Sequence, residues 1–263
     1  MPKVELLEKY AKLIVEVGAN VQKDQMVVVR SSTDTNEIAR LIVKAAYHVG
    51  AKSVTVQWND PYVSRSNFDG MKVELLEIVP QWTIDEAKFF VEQNGCIISI
   101  ASPVPGLNKD VDPVKMQRAG IAQMKALKFA QDHMMGNRTQ WNVVAAPNKV
   151  WAQKVFPNLS EDDAVEALWN AILEASRVTE TNDPVKEWEE HNKRLLAHNT
   201  ILNDYQFDTL HFKNSISSAI GCLTGNNLGG LSVIPKQIMV SFHERMVVTW
   251  VHFGILILLP LFL

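Results

Sequence analysis

Residues 25–60 read QMVVVRSSTDTNEIARLIVKAAYHVGAKSVTVQWND, and every local signal in this stretch agrees with the next. Met26–Arg30 is a short β-branched run, Asn36–His48 has helical spacing, and Ser53–Trp58 is a second β-rich run. Thr33, Asp34 and Thr35 are candidate caps ahead of the helix, and Gly50 stands just past its end. Ile38, Leu41, Ile42, Ala45 and Ala46 fall on one helical face. A crossover helix between two buried strands implies parallel pairing with a right-handed connection. The stretch therefore predicts a βαβ unit at the head of an α/β domain.

Working outward, MPKVELLEKYAKLIVEVG carries early acidic residues and charges between its apolar positions, so it is no signal peptide. It reads as an amphipathic helix with Leu6, Leu7, Tyr10, Leu13, Ile14 and Val17 towards the core. Downstream, Pro61–Asn67 is polar and turn-rich, and Met71–Ile78 and Thr83–Asn94 have helical spacing, with Gly95 closing the second. CIISIAS is a third buried strand, followed by the proline-interrupted loop ASPVPGLNKDVDP. Asp112-Pro113 is a cap and first-turn pair for a long helix, Val114–Met135. Trp141–Ala146 is a fourth strand and Asn148–Val155 a short helix. Ser160 caps a helix with three acids in its first turn and an apolar face of Val165, Leu168, Trp169, Ile172 and Leu173. Asp183-Pro184 starts another helix, and Thr209–Phe212 is a further strand. This alternation predicts a Rossmann-like, mostly parallel sheet with flanking helices.

Composition narrows the function. The chain has 263 residues, 47% of them hydrophobic, which can supply a substantial core. A net charge of −3 gives no basic footprint, so nucleic acid is not an expected partner. Cys96 and Cys222 are far apart and in no metal-ligand spacing, which fits a reducing cytoplasm.

Catalytic motifs are missing. The turn after the first strand, SSTDTNE, contains no glycine, and no phosphate-binding GxGxxG or GxxxxGK occurs. Gly221, Gly225, Gly229 and Gly230 precede LSVIPK rather than a helix. His243-Glu244 lacks the second histidine that a zincin helix needs. His191 and His198 lie seven apart on one predicted helix with Glu190 nearby, two turns being too long for a chelating pair. Glu161, Asp162 and Asp163 are accounted for by the helix dipole. No GxSxG elbow is present, and neither cysteine has a cationic neighbour in sequence. The seven tryptophans fall mostly on core-facing positions. No catalytic, cofactor-binding or metal-ligating residue is nominated.

Five segments, LEKYAKLIVEVGANVQKDQMVVV, AYHVGAKSVTVQWND, AAPNKVWAQKVFP, EDDAVEALWNAI and DPVKEWEEHN, occur in an order and at intervals that resemble the N-terminal half of the aminopeptidase T and aminopeptidase S family of bacterial metalloaminopeptidases. The resemblance runs from about residue 7 to about residue 212. It implies a cytoplasmic exopeptidase that removes N-terminal residues from peptides with two divalent metal ions, zinc or cobalt. It further implies that the ligands sit on a C-terminal domain that also forms a homodimer, the N-terminal domain serving as wall and scaffold. Residues 1–212 are then the α/β domain and 213–263 an incomplete remnant of the catalytic one.

The tail departs from that pattern. The Gly-Gly segment that opens the family's catalytic domain survives only as NNLGGLSV, and after Val233 the expected run towards the first glutamate ligand is replaced by IPKQIMVSFHERMVVTWVHFGILILLPLFL. Glu244 is near in number but not in motif context. The expectation is a truncated or frameshifted member that binds no metal pair and is inactive alone. The competing expectation is a non-enzymatic binding protein anchored in a membrane through the charge-free Met246–Leu263. As a helix this tail would reach ~27 Å, against the ~30 Å of a bilayer core. An off-frame tail has no designed docking surface, so deleting Ile234–Leu263 is expected to leave the urea-unfolding stability of the first domain unchanged. A loss of several kcal/mol would instead make the tail part of the core.

Overall fold

A computed structural model describes residues 2–205, 209–213 and 218–222, with side chains described to residue 200 except at 198 and 199. The opening unit forms as expected: β1 (Met26–Ser32), α2 (Asn36–His48) and β2 (Ser53–Asn59). β1 and β2 pair in parallel, Met26 opposite Ser53 and Ser32 opposite Asn59. Ahead of them, α1 (Val4–Leu13) runs into a π-turn, Ile14–Gly18. β3 (Cys96–Ala101) pairs in parallel with the other edge of β1, and β4 (Trp141–Ala145) with β3. The sheet order is β2-β1-β3-β4, so the chain builds outward to one side of β1 and then crosses to the other.

One face of this sheet carries the main core. Val27, Val29, Ile98, Ile100 and Val144 point to it together with Leu7 and Tyr10 of α1, Ile14 of the π-turn, and Ile38 and Ile42 of α2. Burying each such side chain contributes about 1.5–3 kcal/mol before conformational entropy is subtracted. The same core takes in α8 (Lys149–Val155), α9 (Glu161–Ala175) and the start of α10 (Pro184–Tyr205) through Trp151, Trp169 and Trp188. Two polar ties hold these layers together. The buried Tyr10 hydroxyl donates to the Ala145 carbonyl at 3.0 Å, and Trp188 Nε1 donates to the Ser176 carbonyl at 2.8 Å.

The opposite side is covered more thinly, and there the structure corrects the sequence reading. Pro61–Asn67, expected as turns, lies in a helix, α3 (Pro61–Gly70). Asp60 caps it by accepting the amides of Tyr62 and Val63 at 2.8 and 3.2 Å, with Pro61 in the first turn. It buries no residue, so it has no apolar stripe to read. Met71–Ile78 shrinks to α4 (Val73–Leu76), followed by α5 (Gln81–Glu92). The single long helix expected over Val114–Met135 is interrupted at Leu127, φ −106° and ψ 13°, giving α6 (Pro113–Ala126) and α7 (Lys128–Met135). Neither has a buried residue, so no core contact holds them on one axis.

The last strands also differ from expectation. β5 (Thr209–Lys213) does not extend the parallel sheet but pairs antiparallel with β6 (Ser218–Cys222) in a separate two-stranded sheet. β6 lies in a stretch with no readable pattern, because its small residues and glycine carry almost no alternation. The tail proposed as an anchor, Met246–Leu263, lies outside the described residues; among those described, no helix is long and apolar enough to cross a membrane.

Gly18 is required by packing. A Cβ there would stand 2.3 Å from Asn142 Nδ2, and Asn142 is 1% exposed with neither side-chain polar atom hydrogen-bonded. Gly18→Ala is expected to cost about 1–3 kcal/mol in urea unfolding, the range for overpacking a core. Adding Asn142→Ala removes the clash, so the double variant is expected to be more stable than the sum of the two single losses predicts. Additive losses would contradict this contact.

Candidate functional site

All four strands of the parallel sheet end on one edge, and because β2 and β3 flank β1 on opposite sides, the chain diverges there. Such a switch point is where open α/β sheets hold ligands. Two cavities open along this edge. One, of about 570 Å³, lies between the start of α2 and the starts of α8 and α9, and includes Asp34, Ile38, Asn148, Lys149, Glu161 and Trp169 in its wall. The other, of about 530 Å³, lies over the ends of β1, β2 and β3, and is lined by Arg30, Ser32, Gln57, Trp58, Ser99 and Ser102 among others.

Side-chain hydrogen bonds shape this edge. Asn148, buried just past β4, accepts the Trp151 amide at 2.9 Å and so caps α8. Its Nδ2 donates to Ser102 Oγ at 2.9 Å and to the Pro103 carbonyl at 2.7 Å, tying the end of β4 to the end of β3. At the end of β1 the cap differs from the candidates Thr33, Asp34 and Thr35. Ser32 is the residue that accepts an amide, that of Asp34 at 3.3 Å, at the head of a short 3-10 turn, Thr33–Thr35. Thr35 precedes α2 without capping it. Its hydroxyl is spent inward, 3.0 Å from the Ser32 carbonyl and 2.8 Å from Ser31 Oγ. Hydroxyls thus hold the turn where a nucleotide-binding fold would place glycines.

The residues weighed as metal or nucleophile candidates are scattered. In the acidic run, Glu161 lies 3.1 Å from Lys149 Nζ, and Asp163 exchanges hydrogen bonds with Ser160 at 2.7 and 3.2 Å, a reciprocal helix cap. Glu190 lies 2.5 Å from Lys193. His191 packs edge-on against Trp188, ring centroids 5.0 Å apart, with Arg177 Nη2 3.4 Å from its Nδ1. A guanidinium beside the ring opposes a second cation. The His198 side chain, the glycines from 225 to 230, His243 and Glu244 lie outside the described residues. Cys96 is buried and its thiol is pushed up to about 12 by desolvation, so it is no thiolate nucleophile. Among the described residues, no group of three or more His, Cys, Asp or Glu is placed to hold a metal ion; they do not fit a metal centre.

The tryptophans divide. Trp151, Trp169 and Trp188 are in the core, whereas Trp58 and Trp82 are exposed, against the expectation of packing roles. Arg30, Ser32, Ser99, Ser102 and Asn148 were not singled out from sequence. They come from the ends of separate strands, and the one available signal was that position.

Residues 3–225 match the thermophilic metalloprotease (M29) family. The chain belongs to the M29 family. It is 39% identical over 207 residues to aminopeptidase AmpS of Bacillus subtilis (strain 168), covering 79% of this chain and 50% of that protein. It is 40% identical over 246 residues to aminopeptidase PepS of Streptococcus thermophilus, covering 89% and 59%. The structure of wild-type AmpT from Thermus thermophilus superposes with a TM-score of 0.78 at 28% identity, over 89% of this chain and 58% of that one. The M29 chain described here therefore spans about half the length of the curated relatives it matches.

His191 offers a measurement on this M29 chain that separates packing from metal binding. Burial first, then Arg177 and Arg194, hold its imidazole below the ordinary value of 6.5. A depressed pKa in the folded state means that the neutral form stabilises the fold above the unfolded value. That contribution is lost as pH falls from 6.5 through the folded-state value. Proton NMR titration is expected to place His191 below 6.5, and Arg177→Gln to move it part of the way back. An unshifted histidine would contradict the Arg177 contact.

Proposed function

We propose that this chain is the N-terminal α/β scaffold of a metal-dependent aminopeptidase, and that alone it neither assembles the metal pair nor removes residues from peptides. The observation that carries this reading is the M29 match over residues 3–225, on a chain that spans about half the length of relatives named aminopeptidases. Relatives named aminopeptidases support peptides as the substrates of the full-length enzymes. Under this reading two zinc or cobalt ions belong to the catalytic half of those enzymes, as does the surface that forms their homodimer, and the setting is cytoplasmic. Residues 1–212 are the α/β domain and 213–263 a remnant of the catalytic one.

Under this reading the parallel sheet of this part serves as a wall. The parallel sheet is bonded strand to strand, and its loop-bearing edge, where binding residues collect in α/β folds, is tied by Asn148 and by the Ser31–Thr35 contact.

The test is direct. Purified chain is assayed for metal content and for leucyl-anilide hydrolysis with zinc or cobalt added. The expected result is no turnover and no stoichiometric metal; equimolar metal with turnover overturns the proposal.

A further inference from the structure

The crevice over the ends of β1, β2 and β3 has a chemistry of its own. Its polar lining consists of Arg30, Ser31, Ser32, Gln57, Asn59, Ser99 and Ser102, with no carboxylate among them. Arg30 is the one cation among its described lining residues, and Arg30 Nε donates to Gln57 Oε1 at 3.1 Å, a bond that steadies the guanidinium and leaves both Nη groups for a ligand. The carboxylate whose field reaches Arg30 is Glu86 on α5, which is not a lining residue.

The hydroxyls point the same way chemically. Ser102 Oγ accepts from Asn148 Nδ2 and Ser32 Oγ accepts from the Asp34 amide, so each has its proton left to give. Ser99, opposite Arg30 across the β1–β3 ladder, adds a third hydroxyl. A fork of N–H donors beside O–H donors, without an acid, suits an oxyanion. The rest of the lining is apolar: Trp58, 47% exposed, with Pro61, Ile100 and Pro103. A small, strongly hydrated ion such as phosphate makes no use of that surface.

We propose that this crevice binds a carboxylate carried on an apolar body, as at the C-terminal end of a short peptide. The Arg30 guanidinium is its ion-pair partner, Ser32, Ser99 and Ser102 flank the oxygens, and Trp58 with the two prolines covers the apolar part. The volume of about 530 Å³ accommodates such a ligand.

Calorimetric titration of the full chain with hippurate, its amide hippuramide and inorganic phosphate tests this. Hippurate is expected to bind, hippuramide at least tenfold more weakly, and phosphate more weakly than hippurate. Arg30→Gln is expected to weaken hippurate at least tenfold, and Ser99→Ala by less. Arg30 is exposed and Ser99 carries no side-chain hydrogen bond that the fold depends on, so both variants are expected to keep the parent's melting temperature; Arg30→Lys, which keeps charge and loses the fork, is the substitute if Arg30→Gln does not fold. No hippurate binding, equal binding of acid and amide, tighter phosphate binding, or an unaffected Arg30 variant overturns the proposal. Binding is read without turnover, so this result and the peptidase assay fail independently.

Discussion

β1 is hydrogen-bonded to a parallel neighbour on each edge, to β2 along Met26–Ser32 and to β3 along Val27–Arg30. Its Val27, Val28 and Val29 are all fully buried. A strand with both edges paired and both faces covered must be apolar throughout its middle, and its polar residues are pushed to its end. That is where Arg30, Ser31 and Ser32 stand. Because the neighbours lie on opposite sides, the loops leaving β1 and β3 diverge, and the space between them becomes the crevice. Fold and candidate site thus follow from one constraint.

The two faces of the sheet are unequal. α1, α2, α9 and the start of α10 meet one face with tryptophans, a buried tyrosine and branched aliphatics, and their carbonyl ties to Tyr10 and Trp188 are short. α3 to α7 contribute no residue to that core, and of them only α5 buries one at all, Phe90. Amphipathic periodicity is strong where burial is deep and faint where it is shallow. This is why the helix over Asn36–His48 is legible to the residue while α3 and the break at Leu127 are not.

The edge of the sheet shows the same contrast for function. The hydroxyl-bound turn at Ser31–Thr35 agrees with the glycine-free SSTDTNE, which set aside nucleotide binding. The acidic run at Glu161–Asp163 is a capped helix start with a lysine partner, as its place before an apolar stripe implied. The donors of the crevice had no such signature, since Arg30, Ser99 and Ser102 become neighbours only once β1 and β3 are side by side.

Sequence alone determined the βαβ start, the cap and dipole chemistry of the helix after Ser160, the absence of nucleotide and nucleophile motifs, and the resemblance to the aminopeptidases. All of these are local patterns or ordered segments, written in neighbouring residues. Tertiary structure decided the strand order β2-β1-β3-β4, the separate hairpin of β5 and β6, and the meeting of Arg30 with three serines. Those depend on which strand edges pair, and pairing is set by the summed burial of the whole domain rather than by the residues of any one strand.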